Sequence, residues 1–482
     1  MRWGVLILLW FAAASSALAQ ENALQADFRG ERSRLDEACG TLSFKAAGGC
    51  AEELFTDHPL HMTVGSIAPQ DGFGFGPAFV AHLTPSESWR LSWDSDAVVS
   101  TNASWRAGGY MKIIHTPVQT IHVSIPAPLS PGEASRQTRK PAKKAPVNLV
   151  HPYTVFNVYA QGISLNKVNY FGEGNNSTLG GASVFGMTQT IVGGNAIKPV
   201  YEWPALSKLN LALLGEMNGR FVNVKGESGQ SVPSIQTLYD EATAPGLASQ
   251  PGFLQMGEGV RMKPVLFEDH LQLNYLANFE EFFAPSNSHY SFLRWTIDLN
   301  HTLNFYSHSP SYEPKDTNGP DECATALGAI TCPPIPYTRN LNGSVGVRLL
   351  ISESIHSARS AVPFYFQQTL GGSDVNGSSS LASYQDYRFR APNLLLLRGS
   401  FEHSIWGPLG FTLTAEEGRV TQNRGDVAFA HLKHSFATGL TVRAGGVPMV
   451  YVMFAWGGPE GHHNIFNMNT ALLGGSARPS LY

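Results

Sequence analysis

Few side chains in this 482-residue chain sit at spacings that chemistry could use. The four cysteines form two close pairs, Cys39/Cys50 and Cys323/Cys332, and neither pair is a C-x-x-C. Spacings this short suit disulfides closing small loops in an oxidising compartment better than zinc or redox chemistry. Glu416 and Glu417 are neighbouring acids, but adjacent residues on a strand point to opposite faces and cannot act on one substrate. His462 and His463 lack a third ligand at defined spacing. Gly72-Phe73-Gly74-Phe75-Gly76 has neither the spacing nor the following helix of a dinucleotide site. The chain also has no G-x-S-x-G, H-E-x-x-H or Walker sequence. The expectation is a protein without enzymatic activity, with no cofactor and no metal.

Composition narrows the class further. Charged residues make up 15%, below the ~25% of an ordinary soluble domain. A net charge of −4 excludes nucleic-acid binding through bulk positive charge. Arg2, the apolar run that follows it and the small residues ending in Ala17-Leu18-Ala19 read as a secretory signal peptide over residues 1–19, cleaved near Ala19. The apolar run is shorter than the ~20 residues of a spanning helix. No later apolar run approaches the ~18 residues that a spanning helix requires, so a membrane protein built on this sequence has to be a closed barrel.

The elements that must position any site are strands. Leu293, Trp295, Ile297, Leu299, Leu303 and Phe305 share one parity, and Arg294, Thr296, Asp298, Asn300, Thr302 and Asn304 share the other. Leu209–Phe221 and His270–Glu280 alternate in the same way, with Leu214 and Leu276 out of pattern. Such segments exceed the ~5–6 residues typical of soluble strands and match the ~9–11 residues of a tilted transmembrane strand, apolar toward lipid and polar toward the lumen. Counting from His61 to Leu473 gives about sixteen strands, an even number as barrels require. The predicted strands cover residues 61–69, 75–83, 89–103, 105–115, 153–165, 182–192, 208–223, 254–264, 270–280, 292–306, 343–354, 394–405, 409–418, 434–444, 448–456 and 463–473. Residues 117–150, Pro-rich and basic, read as a solvated loop or a contact for anionic lipid head groups. Residues 225–252, 307–341 and 371–393 form further long loops.

One stretch resembles a known family. LGGSDVNGSSSLASYQDYRFRAPNLLLL, from Leu370 onward, is similar to the loop-and-strand signature of the BamA/TamA-type bacterial surface antigen family. YFGEGNNS (Tyr170–Ser177), GFGFGPAF (Gly72–Phe79), TAEEGRV and HSFATGLTVRAG resemble further family segments. The resemblance covers residues 364–473 well and 60–475 loosely. It implies an all-β fold, a single transmembrane antiparallel barrel of about sixteen strands, with one extracellular loop folded back into the lumen. In that family a loop arginine is held by lumenal acids on the two strands that follow. Glu402 and Glu416 match those acids, and Arg398, Ser400, Glu402 and Ser404 share lumenal parity. The loop arginine does not match: Leu381-Ala382-Ser383-Tyr384 keeps only the leucine and the tyrosine. Tyr451 and Met453 also stand where relatives tend to carry a charged pair. The expectation is that Arg388 or Arg390 pairs with Glu402 or Glu416, with Arg398 as another source of the charge. The set Leu381, Tyr384, Arg388, Arg390, Glu402 and Glu416 is thus the candidate lumenal lock.

Residues 20–58 are too short for a POTRA module and read as a short periplasmic or plug segment, with the barrel over 59–482. The implied location is the bacterial outer membrane. The implied partners are outer-membrane lipid and nascent outer-membrane or periplasmic proteins, and the implied work is protein insertion or translocation. A gated or passive solute channel and a secreted soluble β-rich adhesin are the alternatives.

Overall fold

A computed structural model of the chain describes residues 59–116, 118–125, 143–150, 153–200, 209–227, 231–267, 270–310, 337–444, 447–458, 460–468 and 478–481. The signal peptide expected over residues 1–19 and the segment 20–58 lie outside the described residues. The disulfides expected between Cys39 and Cys50 and between Cys323 and Cys332 are not shown. Cys39, Cys50, Cys323 and Cys332 all lie outside the described residues, and there is no disulfide among the described ones.

The strands in chain order are β1 (Leu60–Ser66), β2 (Phe73–Ser86), β3 (Trp89–Ser100), β4 (Trp105–His115), β5 (Val118–Ile125), β6 (Lys143–Val150) and β7 (Thr154–Tyr170). There follow β8 (Ser183–Pro199), β9 (Leu211–Gly226), β10 (Phe253–Met262), β11 (Val265–Leu266), β12 (Leu271–Phe283), β13 (Phe292–Pro310) and β14 (Tyr337–Ile355). The last are β15 (Gln368–Leu370), β16 (Phe389–Ala391), β17 (Asn393–Trp406), β18 (Leu409–Thr421), β19 (Lys433–Ala444), β20 (Val447–Trp456) and β21 (His462–Met468). One sheet takes 17 of these, pairing antiparallel with their neighbours from β1 to β21. The short β11 runs beside β12 after β10 ends, so the sheet is sixteen strands wide. Hairpins β5–β6 and β15–β16 stand apart from it. Every strand expected from alternation is present, several of them longer: β13 and β14 pair as far as Pro310 and Tyr337.

The sheet is inside out relative to a soluble sandwich. Met217, Phe221, Leu440 and Val452 are more than half exposed on its outer face, and Phe454 and Trp456 continue the Val452 parity. The opposite face buries Asp96, Gln161, Asn218, Arg220, Gln255, Glu280, Arg294 and Glu416. Apolar out and polar in is what a lipid-facing barrel wall needs. Among the described residues no helix is long and apolar enough to cross a membrane.

The curl of the sheet is visible in what its interior holds. The segment between β14 and β17 touches Gln70 in the β1–β2 turn, Ser177 after β7, Glu416 on β18 and Glu460 before β21. One loop reaches all of these because the strands curl round it. The fold is an all-β, antiparallel barrel with a loop in its lumen.

The expected loop at 117–150 carries regular structure in its described parts. Val118–Ile125 and Lys143–Val150 pair residue for residue as a hairpin outside the barrel sheet. The sequence hid it because Pro146 lies within the second strand, where a proline cannot donate to the ladder.

Candidate functional site: the loop held inside the barrel

The segment 356–392 begins with a 3-10 turn at Phe364–Phe366. It then forms the β15–β16 hairpin, with Leu370 opposite Phe389 and Thr369 opposite Arg390. Gly371 (φ +103°) and Gly372 (φ +58°) begin the excursion out of β15. A Cβ on Gly371 would lie 2.9 Å from the Gln385 carbonyl, so the conformation and the close approach both call for glycine. Asp386 closes the base by accepting the Ser373 N–H at 2.8 Å. It also accepts from the Gln70 side chain at 3.3 Å, which ties the loop to the β1–β2 turn. The Asp374 carboxylate accepts the N–H groups of Asn376 and Ser378, turning the inserted Val-Asn-Gly stretch back on itself. Burial raises the pKa of Asp374 and of Asp386, and the backbone donors partly oppose it.

The tip Leu381-Ala382-Ser383-Tyr384 lies on β18 to β21. Leu381 and Tyr384 pack with Leu370, Phe389, Leu394, Leu396 and Val420 in one apolar cluster. Ala382 packs with Ala437 and Ala455, and its N–H donates to Glu416 Oε2 at 3.1 Å. Ser383 donates its N–H to Ser435 Oγ at 2.9 Å and its hydroxyl to the Gly457 carbonyl. Tyr384 sits against Gly458, where a Cβ would collide with its ring. Small residues at 382 and 383 let the tip approach the wall closely enough for backbone to bond to it.

The charges are arranged differently from the sequence expectation. Arg398 faces Glu416 directly across the β17–β18 ladder, and their side chains pair at 2.5 Å. Glu402 has Arg443 of β19 at 3.4 Å and accepts from Thr441. Neither Arg388 nor Arg390 reaches these acids. Arg388 instead grips Glu460 with two contacts, Nε to Oε2 at 2.7 Å and Nη2 to Oε1 at 2.5 Å. It also donates to the Ser177 hydroxyl and carbonyl and lies over the rings of Phe171 and Phe389. Arg390 donates to the Phe364 carbonyl at 2.7 Å, between the rings of Tyr170 and Phe364. Burial brings the Arg390 pKa down to about 10. The returning hairpin turns both guanidiniums toward the β7–β8 connection. Glu416 needs no loop cation because one stands opposite it on the neighbouring strand.

These pairs belong to a belt of charge along the wall. Arg348 on β14 stands opposite Arg398, a like-charge neighbour that is costly if left uncompensated. Arg348 turns the other way, to a two-point pair with Asp298 at 2.9 Å per contact. Each arginine is therefore satisfied by an acid on its far side.

Tyr170–Ser177, the segment that resembles a family motif, clamps the loop from the opposite wall. Gly174 donates its N–H to the Arg390 carbonyl at 2.7 Å. Glu173 accepts from Gln367 and from Gln422, and burial raises its pKa. Asn175 donates to the His431 carbonyl. Of the residues that sequence reasoning missed, Arg443 shares the parity of Ser435 and Thr441 and could have been found. Glu460 carries no such signal, and Ser177 lies in the Tyr170–Ser177 segment that the resemblance picked out, with no partner assigned to it there. Phe366, at the start of the loop segment, packs its ring against Phe282 and Phe292 of the wall. Arg294 lies over the Phe282 and Phe292 rings and donates to the Phe366 carbonyl.

No family model and no curated protein matches the chain. Among solved structures it is similar to CdiB from Escherichia coli, at 10% identity over 86% of this chain and 62% of that one, with a TM-score of 0.47. It is similar to CdiB from Acinetobacter baumannii at 10% identity, over 83% of this chain and 57% of that one, with a TM-score of 0.43. It is also similar to BamA from Haemophilus ducreyi lacking POTRA domains 1–3, at 8% identity over 89% and 77% of the two chains, with a TM-score of 0.35. The chain spans less than two thirds of the length of the two CdiB structures.

Proposed function

We propose that the protein is an outer-membrane barrel that handles polypeptide chains, by inserting them into the membrane or moving them across it. The observation that carries this reading is the loop fastened inside the lumen. It is held by Ala382 on Glu416, Ser383 on Ser435, and Arg388 on Glu460 and Ser177. A barrel that passes small solutes by diffusion is served by an open lumen. This one fills its lumen with an apolar cluster and buried arginines on a hairpin joined to the wall at separate points, a device suited to opening only when a large substrate engages. The apolar outer belt supports residence in a membrane rather than secretion as an adhesin.

The test is depletion of the protein followed by a quantitative census of outer-membrane and exported proteins. The reading expects a defined subset to fall while lipid composition and solute uptake stay unchanged. An unchanged protein census with altered solute uptake overturns it in favour of a channel.

A further inference from the structure

We propose that the lumen contains a binding site for extended polypeptide, and that residues 478–481 of this chain occupy it in the resting barrel. The proposal rests on the polypeptide-handling reading above and gives it a substrate site.

Residues 478–481 lie within the barrel, held from three separate places. Arg478 pairs with Asp96 on β3 at 2.8 Å, and its guanidinium lies over the Tyr110 ring. Arg220 on β9 donates from Nη1 to the Ser480 carbonyl at 2.9 Å. Asn376, at the turn of the inward loop, accepts the Leu481 N–H at 2.6 Å and donates to the Leu481 carbonyl at 2.5 Å. Leu481 is 6% exposed and borders a cavity of about 150 Å³ whose lining includes Phe185, Met187 and Leu394.

The chemistry of these contacts identifies the ligand. A side-chain amide that both accepts from and donates to one residue's main chain presents the donor–acceptor pair of a strand edge. Arg220 adds a third bond to the main chain. Three bonds to backbone atoms are indifferent to sequence and suit any extended segment. Selectivity is left to two anchors three residues apart: a cation for Asp96 and an apolar side chain for the cavity. Asp96 already holds Arg106 at 2.8 Å, so its pocket accommodates a second cation without leaving the acid bare when the segment departs. Asn376 belongs to the same loop as the Arg388 and Ala382 contacts, so a peptide arriving here meets the element that fills the lumen.

The experiment uses the refolded barrel in detergent, complete and lacking residues 478–482, with heat-modifiable migration confirming that each is folded. The probe is a fluorescein-labelled peptide of the chain's own residues 477–482, amidated at its end. Anisotropy should show saturable binding to the shortened barrel and binding about tenfold or more weaker to the complete one, where the site is filled. Replacing the peptide arginine by glutamate, or its leucine by aspartate, should each weaken binding by about tenfold. Asn376→Ala in the shortened barrel should do the same, and Asn376→Asp, which keeps the acceptor and removes the donor, should fall between. A folded, shortened barrel that does not bind the peptide, or binds a scrambled one equally well, overturns the proposal and makes residues 478–481 a structural anchor only. Peptide binding that holds while depletion leaves the protein census unchanged keeps the site and refutes the polypeptide-handling reading. A changed census without peptide binding does the reverse.

Discussion

Arg398 and Glu416 face each other across the β17–β18 ladder with their charged ends 2.5 Å apart, and the other Glu416 oxygen takes the backbone N–H of Ala382. The wall thus supplies the cation and the loop supplies only a peptide group. This explains how an alanine can stand at a tip position where the resemblance leads one to expect an arginine.

The pair makes a quantitative prediction. Glu416 is almost wholly buried and Arg398 is about one quarter exposed. Arg398→Met should therefore destabilise the barrel by about 3 kcal/mol, near the lower end for breaking a buried pair, because a carboxylate is left without its cation. Arg398→Met combined with Glu416→Gln should recover most of that loss. Denaturant midpoints in detergent give the comparison. If the double variant is as unstable as the sum of the singles, the two residues are not coupled.

Arg388 predicts a change in loop order rather than in wall stability. Arg388→Met removes its contacts to Glu460 and Ser177 but leaves the strands intact. Backbone amides of 372–388 should exchange at least about tenfold faster with deuterium, since local opening would no longer break this grip. Amides of β17 and β18 should keep their protection. Uniformly unchanged exchange in the loop would show that Arg388 does not fasten it.

The outward face predicts a depth-dependent penalty. Met217, 57% exposed, stands near the middle of β9. Met217→Arg should cost about 2–4 kcal/mol of folding free energy in liposomes if the position lies near the bilayer midplane. Met217→Leu should be close to neutral. Equal folding of the two variants would contradict a lipid-facing position.

Asp71, in the β1–β2 turn, predicts a pH dependence. Burial raises its pKa from 3.8 to about 6, although Ser104, Asn166 and Lys167 all donate to it. The folded state therefore holds the proton more tightly than the unfolded state. The Asp71 contribution is most favourable below pH 4, declines as the pH rises toward 6 and is constant above that. Asp71→Asn should remove this decline, visible as a wild-type-minus-variant stability difference that slopes between pH 4 and 6 and is flat from 7 to 8. A difference flat throughout would place the Asp71 pKa at its ordinary value.

What the sequence made legible follows from the range of the interactions. Alternation is local, so β13 could be read from Leu293 to Phe305 with its faces correctly divided. The inward loop could be placed only through the resemblance of the stretch from Leu370 onward to a known family's segment, because nothing local says that it folds into a lumen. Arg388, by contrast, meets Glu460 at 72 positions' distance, and Arg478 meets Asp96 at 382. No periodicity encodes such pairs, which exist only because the sheet curls until distant strands face one lumen. The Arg398–Glu416 pairing lay between these extremes. Both parities were readable, but the ladder register that sets them opposite each other was not.

The segment between β14 and β17 lies in the lumen of the barrel, joined to its wall at separate points. Single-channel recording in planar bilayers decides whether it blocks the lumen, comparing the full chain with a variant in which residues 372–386 are replaced by a short Gly-Ser linker. The complete barrel is predicted to stay closed apart from brief openings, and the shortened one to give a large, sustained conductance. Equal conductance from two equally folded barrels would contradict the account.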